Sequence, residues 1–213
     1  MTNLLIIETS ARSSSISTAL AHEFIEKLTL NTVELNLKNR NLNSDQLQNL
    51  DEEMTTALRS GVKNPTELQA KTIAQSDKMI GELDAADIIL IAAPMHNFTI
   101  SAQLRTYIDY ITRPGKTFGY TEAGPKGLLV DRPVYIISTR GGQYGDGASD
   151  KPNPYDFQSS YLRHILSFIG LTSVEIIAAN GMDMGDKPQA EGLATARTKI
   201  DAIVKAKASE LAA

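Results

Sequence analysis

Residues 8–17, ETSARSSSIS, place six hydroxyl side chains in ten positions between an apolar run and an amphipathic one, with no glycine among them. Where a chain turns from strand into helix, the first helical N–H groups are unpaired and sit at the positive end of the helix dipole, which favours an anion. Ser10, Ser15 and Ser17 add short hydroxyl donors that let the backbone approach a ligand closely. The combination suits a phosphate held by amides and hydroxyls. It is not a Walker loop, because Gly-Lys-Ser/Thr is missing, and it holds no Gly-x-Gly-x-x-Gly dinucleotide turn. Serine clusters also cap helices without binding anything. Taken alone, the loop leaves both readings open.

Two more stretches carry candidate chemistry. In AAPMHNFTISAQLRTYIDYI, residues 92–111, Pro94 stops a strand and a helix resumes near Ser101, so Met95, His96, Asn97 and Phe98 form a crossing loop. An apolar ledge bracketed by histidine and asparagine suits a flat ligand edged with hydrogen-bonding atoms. In STRGGQYGDG, residues 138–147, Gly141 and Gly142 allow backbone amides to approach such a ligand, or else form a surface turn.

These loops need elements to hold them. Apolar, β-branched runs recur at residues 4–7 (LLII), 32–36 (TVELN), 87–93 (DIILIAA), 133–138 (PVYIIS) and 173–179 (SVEIIAA). Several lack a polar alternate, as expected of strands covered on both faces. Between them run helical stripes: Leu20, Phe24 and Leu28; Ile73, Ser76, Ile80 and Leu83 after Pro65; Leu162, Ile165, Leu166 and Ile169, stopped by Gly170; and Leu193, Ala196, Ile200, Ile203 and Lys207. Strand alternating with helix predicts an α/β fold with a parallel sheet, in which ligands lie outside the carboxyl ends of the strands. Those ends fall after Ile7, Ala93 and Ser138, where the three candidate loops begin. Residues 37–64 read as a polar loop with one short helix near Leu50–Leu58. Residues 112–132, with four glycines and two prolines, read as a lid or a partner contact.

Composition narrows the chemistry. The chain has 213 residues, 42% hydrophobic, enough for one domain over 1–213, and a net charge of −4 that offers no basic surface to nucleic acid. Without cysteine there is no disulfide, thiolate nucleophile or cysteine-bound metal, so redox chemistry requires an organic cofactor. No stretch approaches the roughly 20 apolar residues of a membrane span, and a cytoplasmic location is the expectation. No metal site is expected, since Asp84, Asp87 and Asp109 lack metal-site spacing and His22 and His164 fall on helices.

The segments S…SIS, APMHNFTISAQLRTYIDYI, GKTFGYTEAGPKGLL and STRGGQYGDG, in this order and spacing, resemble the FMN-dependent NADH-azoreductases, which are similar to quinone reductases of the flavodoxin-like fold. The resemblance runs from Leu4 to the final helix. It implies a five-stranded parallel sheet of order 2-1-3-4-5 with helices on both faces, and a homodimer. It implies bound FMN, with NADH or NADPH as co-substrate and quinones and azo compounds as acceptors, in a ping-pong cycle. Ser10 and Ser15, Ile16 and Ser17 would hold the FMN phosphate. Met95, His96, Asn97 and Phe98 would wrap the ring edge, and Thr139, Arg140, Gly141 and Gly142 would supply the remaining ring contacts. Phe118, Tyr120 and Tyr161 would line the substrate pocket, with a hydrophobic mini-core as the alternative. Family members usually carry tyrosine at position 96 and glutamine at position 16. The catalytic group is unassigned, because the hydride is carried by FMN; His96 is a candidate proton donor. A flavodoxin-like electron carrier without its own substrate is the competing function, though such carriers are usually strongly acidic.

Overall fold

A computed structural model describes residues 1–31, 34–147 and 153–211 of the chain. In chain order the elements are β1 (Thr2–Glu8), α1 (Ile16–Asn31), β2 (Leu35–Asn41), α2 (Leu42–Asp45), α3 (Glu52–Arg59), α4 (Glu67–Ala85), β3 (Ile88–Ala92), α5 (Ala102–Ile111), β4 (Phe118–Thr121), β5 (Gly124–Gly127), β6 (Val134–Thr139), α6 (Phe157–Phe168), β7 (Val174–Ala179) and α7 (Asp186–Leu211). The main sheet is parallel with order β2-β1-β3-β6-β7. That is the flavodoxin-like 2-1-3-4-5 arrangement, once the separate antiparallel hairpin β4–β5 is set aside.

The period of two along β1 explains how one strand feeds two cores. Leu4 and Ile6 pack with Phe24 and Leu28 of α1 and Ile200 of α7. Leu5 and Ile7 face the other way, onto Met79 and Leu83 of α4, Tyr107 of α5 and Leu162 of α6. With both faces covered, Leu4–Ile7 of β1 and Ile88–Ala92 of β3 are apolar throughout.

Two expectations are corrected. The second strand does not end at residue 36: it runs from Leu35 to Asn41, inside the stretch expected to be a loop, while Thr32 and Val33 lie outside the described residues. Its side chains from Asn36 to Asn39 are exposed, because β2 is an edge strand held by its parallel backbone pairing with β1. Its deepest anchor is Arg40, buried between Glu82 of α4 and Asp45 of α2, a contact that carries no hydrophobic periodicity. In α4 the buried stripe is Gln69, Thr72, Ser76, Met79, Ile80 and Leu83, with Ile73 only half buried. Thr72 and Ser76 can face inward because their hydroxyls donate to the Leu68 and Tyr110 carbonyls.

The excursion at 112–132 is pinned to α6. Phe118 stacks on Phe168 with ring centroids 4.6 Å apart, and the Leu129 N–H donates to the Ile169 carbonyl at 3.0 Å. Gly127 lies so close to Gly170 that a Cβ there would stand 2.2 Å from the Gly170 nitrogen, so a side chain at this crossing would force the hairpin away.

Asp131 then closes the return to the sheet. Its carboxylate accepts from the N–H and hydroxyl of both Thr172 and Ser173 at 2.6–3.0 Å. Slight burial raises its pKa, but these hydrogen bonds, led by the Thr172 hydroxyl, prevail and hold it well below the usual carboxylate range. A depressed folded pKa stabilises above the unfolded value and is lost as pH falls through the folded one. Asp131→Ala is therefore expected to lower stability by about 1 kcal/mol near neutrality. In urea titrations the gap from wild type should shrink below about pH 4.

Candidate functional site

One cleft collects the loops that leave the carboxyl ends of β1, β3 and β6. From the first come Ser10, Arg12, Ser14, Ser15 and Ile16; from the second Pro94, Met95 and His96; from the third Thr139, Arg140 and Gly141. The loops are tied together from below. The Thr9 N–H and hydroxyl both donate to the Ala92 carbonyl, at 3.2 and 2.9 Å, and the Ser101 hydroxyl donates to the Thr9 carbonyl at 3.2 Å.

Ser15 begins α1. Its hydroxyl accepts the Thr18 N–H at 3.4 Å and lies 2.9 Å from the Ser17 hydroxyl. The N–H groups of Ile16 and Ser17 have no backbone partner among the described residues, as a helix start requires. Ser10 orders the loop by accepting the Arg12 N–H at 3.2 Å. Ser17 itself is fully buried and does not line the cleft, so of the expected phosphate contacts its side chain is the one turned away. Arg12 is a residue that sequence reasoning passed over. Its guanidinium is exposed at the cleft and has no partner among the described residues.

After β3 the chain makes a tight reversal. His96 and Thr99 exchange two N–H to carbonyl bonds of 2.9 Å, with Asn97 at φ 47° and Phe98 at φ 69°. Two central left-handed residues define a type I′ turn, which favours asparagine or glycine. Phenylalanine in that conformation is strained by about 1–2 kcal/mol. Its ring is half exposed and edge-on to Tyr144 at 6.1 Å. Strain of this kind collects at binding sites. Phe98, expected at the ring edge, does not line the cleft, and Phe98→Gly is expected to raise folding stability by about 1 kcal/mol, read as a higher urea midpoint.

The β6 loop presents backbone and hides its charge. The Gly141 and Gly142 carbonyls accept from Asp183 and Gly181, and the two glycine N–H groups have no partner among the described residues. Gly142 lies beside the Tyr144 ring and does not line the cleft. The Arg140 side chain is correspondingly no ring contact. It is buried beneath the loop, donating to the Ser138 and Ser159 hydroxyls at 2.9 and 2.7 Å and pairing with Asp156 at 3.0 Å. Its backbone N–H and carbonyl are also engaged, by Ala179 and Met182. Burial pulls the guanidinium below its ordinary pKa, and Asp156 opposes that shift.

His96 is the partition between this cleft and a second groove lined by Asn97, Thr99, Ile100, Ala102, Arg105 and Tyr161. Arg105 donates to the Tyr161 hydroxyl at 2.9 Å, with its guanidinium carbon 5.5 Å from that ring's centroid. Burial pushes the Tyr161 phenol up, more than Arg105 lowers it, so it remains a neutral donor. Phe118 and Tyr120 line neither space: Phe118 is in the core under the hairpin, and Tyr120 is exposed on β4. Met182 and Asp183, from the loop after β7, complete the cleft; only the glycine-bearing stretch NGMDMG at a fourth strand end would have signalled them.

Among the described residues no helix is long and apolar enough to cross a membrane, and no three metal-binding side chains cluster. The cleft combines amides, hydroxyls and one guanidinium suited to an anion with a glycine amide and the apolar side chains of Ile16, Pro94, Met95 and Met182.

The chain is similar to known proteins in sequence and in fold. Residues 2–204 match the family model described as flavodoxin-like fold. FMN-dependent NADH:quinone oxidoreductase 6 of Burkholderia lata is 42% identical over 203 residues, covering 95% of this chain and 100% of its own. An FMN-dependent NADH:quinone oxidoreductase of Mesorhizobium japonicum is 36% identical over 213 residues, all of both chains. Among solved structures, an FMN-dependent NADH-azoreductase from Bacillus anthracis in complex with FMN superposes with a TM-score of 0.84 at 25% identity, over 98% of this chain and 100% of that one.

Proposed function

The chain belongs to the FMN-dependent NADH:quinone oxidoreductases of the flavodoxin-like fold, and from that membership we propose that it reduces quinones and azo compounds with NADH in a ping-pong cycle. The observation that carries the reading is the cleft that brings together the start of α1, Met95 and Gly141, with the Ile16 and Gly141 N–H groups unpaired among the described residues. These residues fit FMN: a phosphate at Ser10, Ser15 and the α1 start, a flat ring against Met95 and His96. Bound FMN supplies the capacity to accept two electrons from NADH and pass them on.

The protein's part is to bind, orient and stabilise charge. Helix and hydroxyl donors hold the phosphate, with Arg12 as a screening cation. The Gly141 amide, on the ledge that would meet the pyrimidine end of the ring, favours the negative charge that reduction brings there. One exposed ring face would serve both nicotinamide and acceptor, so the first must leave before the second enters. Tyr161, a neutral hydroxyl donor lining the neighbouring groove, is read as the group that meets an acceptor's oxygen or nitrogen. An azo bond needs two such rounds, each delivering two electrons, to yield two amines. A homodimer is the assembly that the family membership suggests for this chain.

NADH consumption with benzoquinone, followed in the FMN-loaded protein, tests the reading. A rate no greater than that of free FMN would favour the electron-carrier alternative, and a chain that keeps no flavin after loading and desalting would end the proposal. His96 bounds both spaces, and its side chain is read as a shape contact. His96→Tyr should hold turnover within about threefold with an unchanged pH profile, whereas a loss of about 100-fold would make it the proton donor.

A further inference from the structure

The loop after β7 brings to the cleft a carboxylate that the proposed reaction does not use. Asp183 lines the cleft, and its backbone N–H donates to the Gly141 carbonyl at 3.1 Å, which fixes where the side chain stands. A Cβ built on Gly141 would meet Asp183 Oδ2 at 2.5 Å, so the carboxylate lies directly against the Cα of the ledge glycine. Among the described residues it has no hydrogen-bond or ion-pair partner.

We propose that Asp183 is an electrostatic tuning residue that makes the bound cofactor harder to reduce; this rests on the FMN reading of the cleft. A hydride brings two electrons and one proton, so accepting it adds one net negative charge. The Gly141 amide favours that charge, and the carboxylate beside it opposes it. Two unit charges about 6 Å apart at an effective dielectric near 40 shift an equilibrium about tenfold. A cofactor that is harder to reduce is a stronger reductant once reduced. Asp183 thereby biases the enzyme toward acceptors of low potential, such as azo bonds, over simple quinones.

Asp183→Asn keeps the side chain's shape and the backbone bond to Gly141 while removing the charge. The midpoint potential of FMN-loaded wild type and variant is measured at pH 8 by reductive titration against a reference dye. Asp183→Asn should raise it by the equivalent of about tenfold more favourable reduction, about 30 mV for a two-electron couple. Asp183→Glu should leave it near wild type, and 1 M salt should narrow the gap between wild type and Asp183→Asn. A purely structural aspartate would move none of these. Equal potentials for wild type and Asp183→Asn overturn the proposal and leave the FMN reading standing. Failure of the wild type to retain FMN overturns that reading, and the proposal with it.

Discussion

Replacing Asp156 with alanine is expected to lower folding stability by about 3–5 kcal/mol, read as a large drop in urea midpoint. The side chain of Arg140 is wholly out of solvent and that of Asp156 is 4% exposed, with 3.0 Å between their charged atoms. Asp156 also starts α6 by accepting the Ser159 N–H at 2.9 Å and anchors the Ser159 hydroxyl at 2.6 Å. Alanine would leave a buried guanidinium with two hydroxyls and two carbonyls, and only the Coulombic attraction of Asp146 in place of its direct ion pair. Removing both charges, as Arg140→Met with Asp156→Ala, should recover much of the loss, because the desolvation cost disappears with the ion. A double variant no more stable than Asp156→Ala would show that the lost helix cap, not the orphaned charge, is responsible.

Ser15→Asp is expected to weaken FMN binding by about 100-fold while leaving riboflavin affinity within a few-fold. Ser15 lines the cleft and is 8% exposed. An added carboxylate within about 4 Å of a phosphate dianion, at an effective dielectric between 40 and 80, costs roughly 2–4 kcal/mol. Aspartate is as good a helix cap as serine, so α1 should remain intact. Riboflavin has the same ring without the phosphate and isolates the charge effect. Flavin fluorescence quenching measures both affinities. Equal weakening of the two ligands would place the phosphate elsewhere.

The sheet and its helices were legible wherever burial is two-sided or striped. Leu4–Ile7, Ile88–Ala92 and the seam of Leu20, Phe24 and Leu28 are buried as their spacing requires. β2 was not legible past Asn36, because an edge strand facing solvent need not alternate and Arg40 is secured by Glu82 and Asp45, not by apolar contact. The site loops were legible because ligands collect at strand ends, which located the residues after Ile7, Ala93 and Ser138 without contact information. Side-chain direction was not. Ser17 lies two residues beyond the Ser15 cap, where the helical turn rotates it into the protein, and nothing in Thr-Arg-Gly-Gly marks Arg140 as pointing inward. The strain at Phe98 is likewise silent in sequence, since His-Asn-Phe-Thr does not look like a type I′ turn.

The solvent-facing margin of β2 bears on how crowded copies of this protein behave. A parallel sheet that ends in an unpaired strand offers its free amide and carbonyl edge to any passing polypeptide, the usual start of fibrillar aggregation. Here that border carries exposed asparagines and Lys38 beside a half-exposed Leu37, so an approaching copy would have to desolvate an ammonium ion and several amides for the contact of one leucine. The feature that hid this strand from its pattern of hydrophobicity is thus also what discourages neighbouring molecules from zipping onto it.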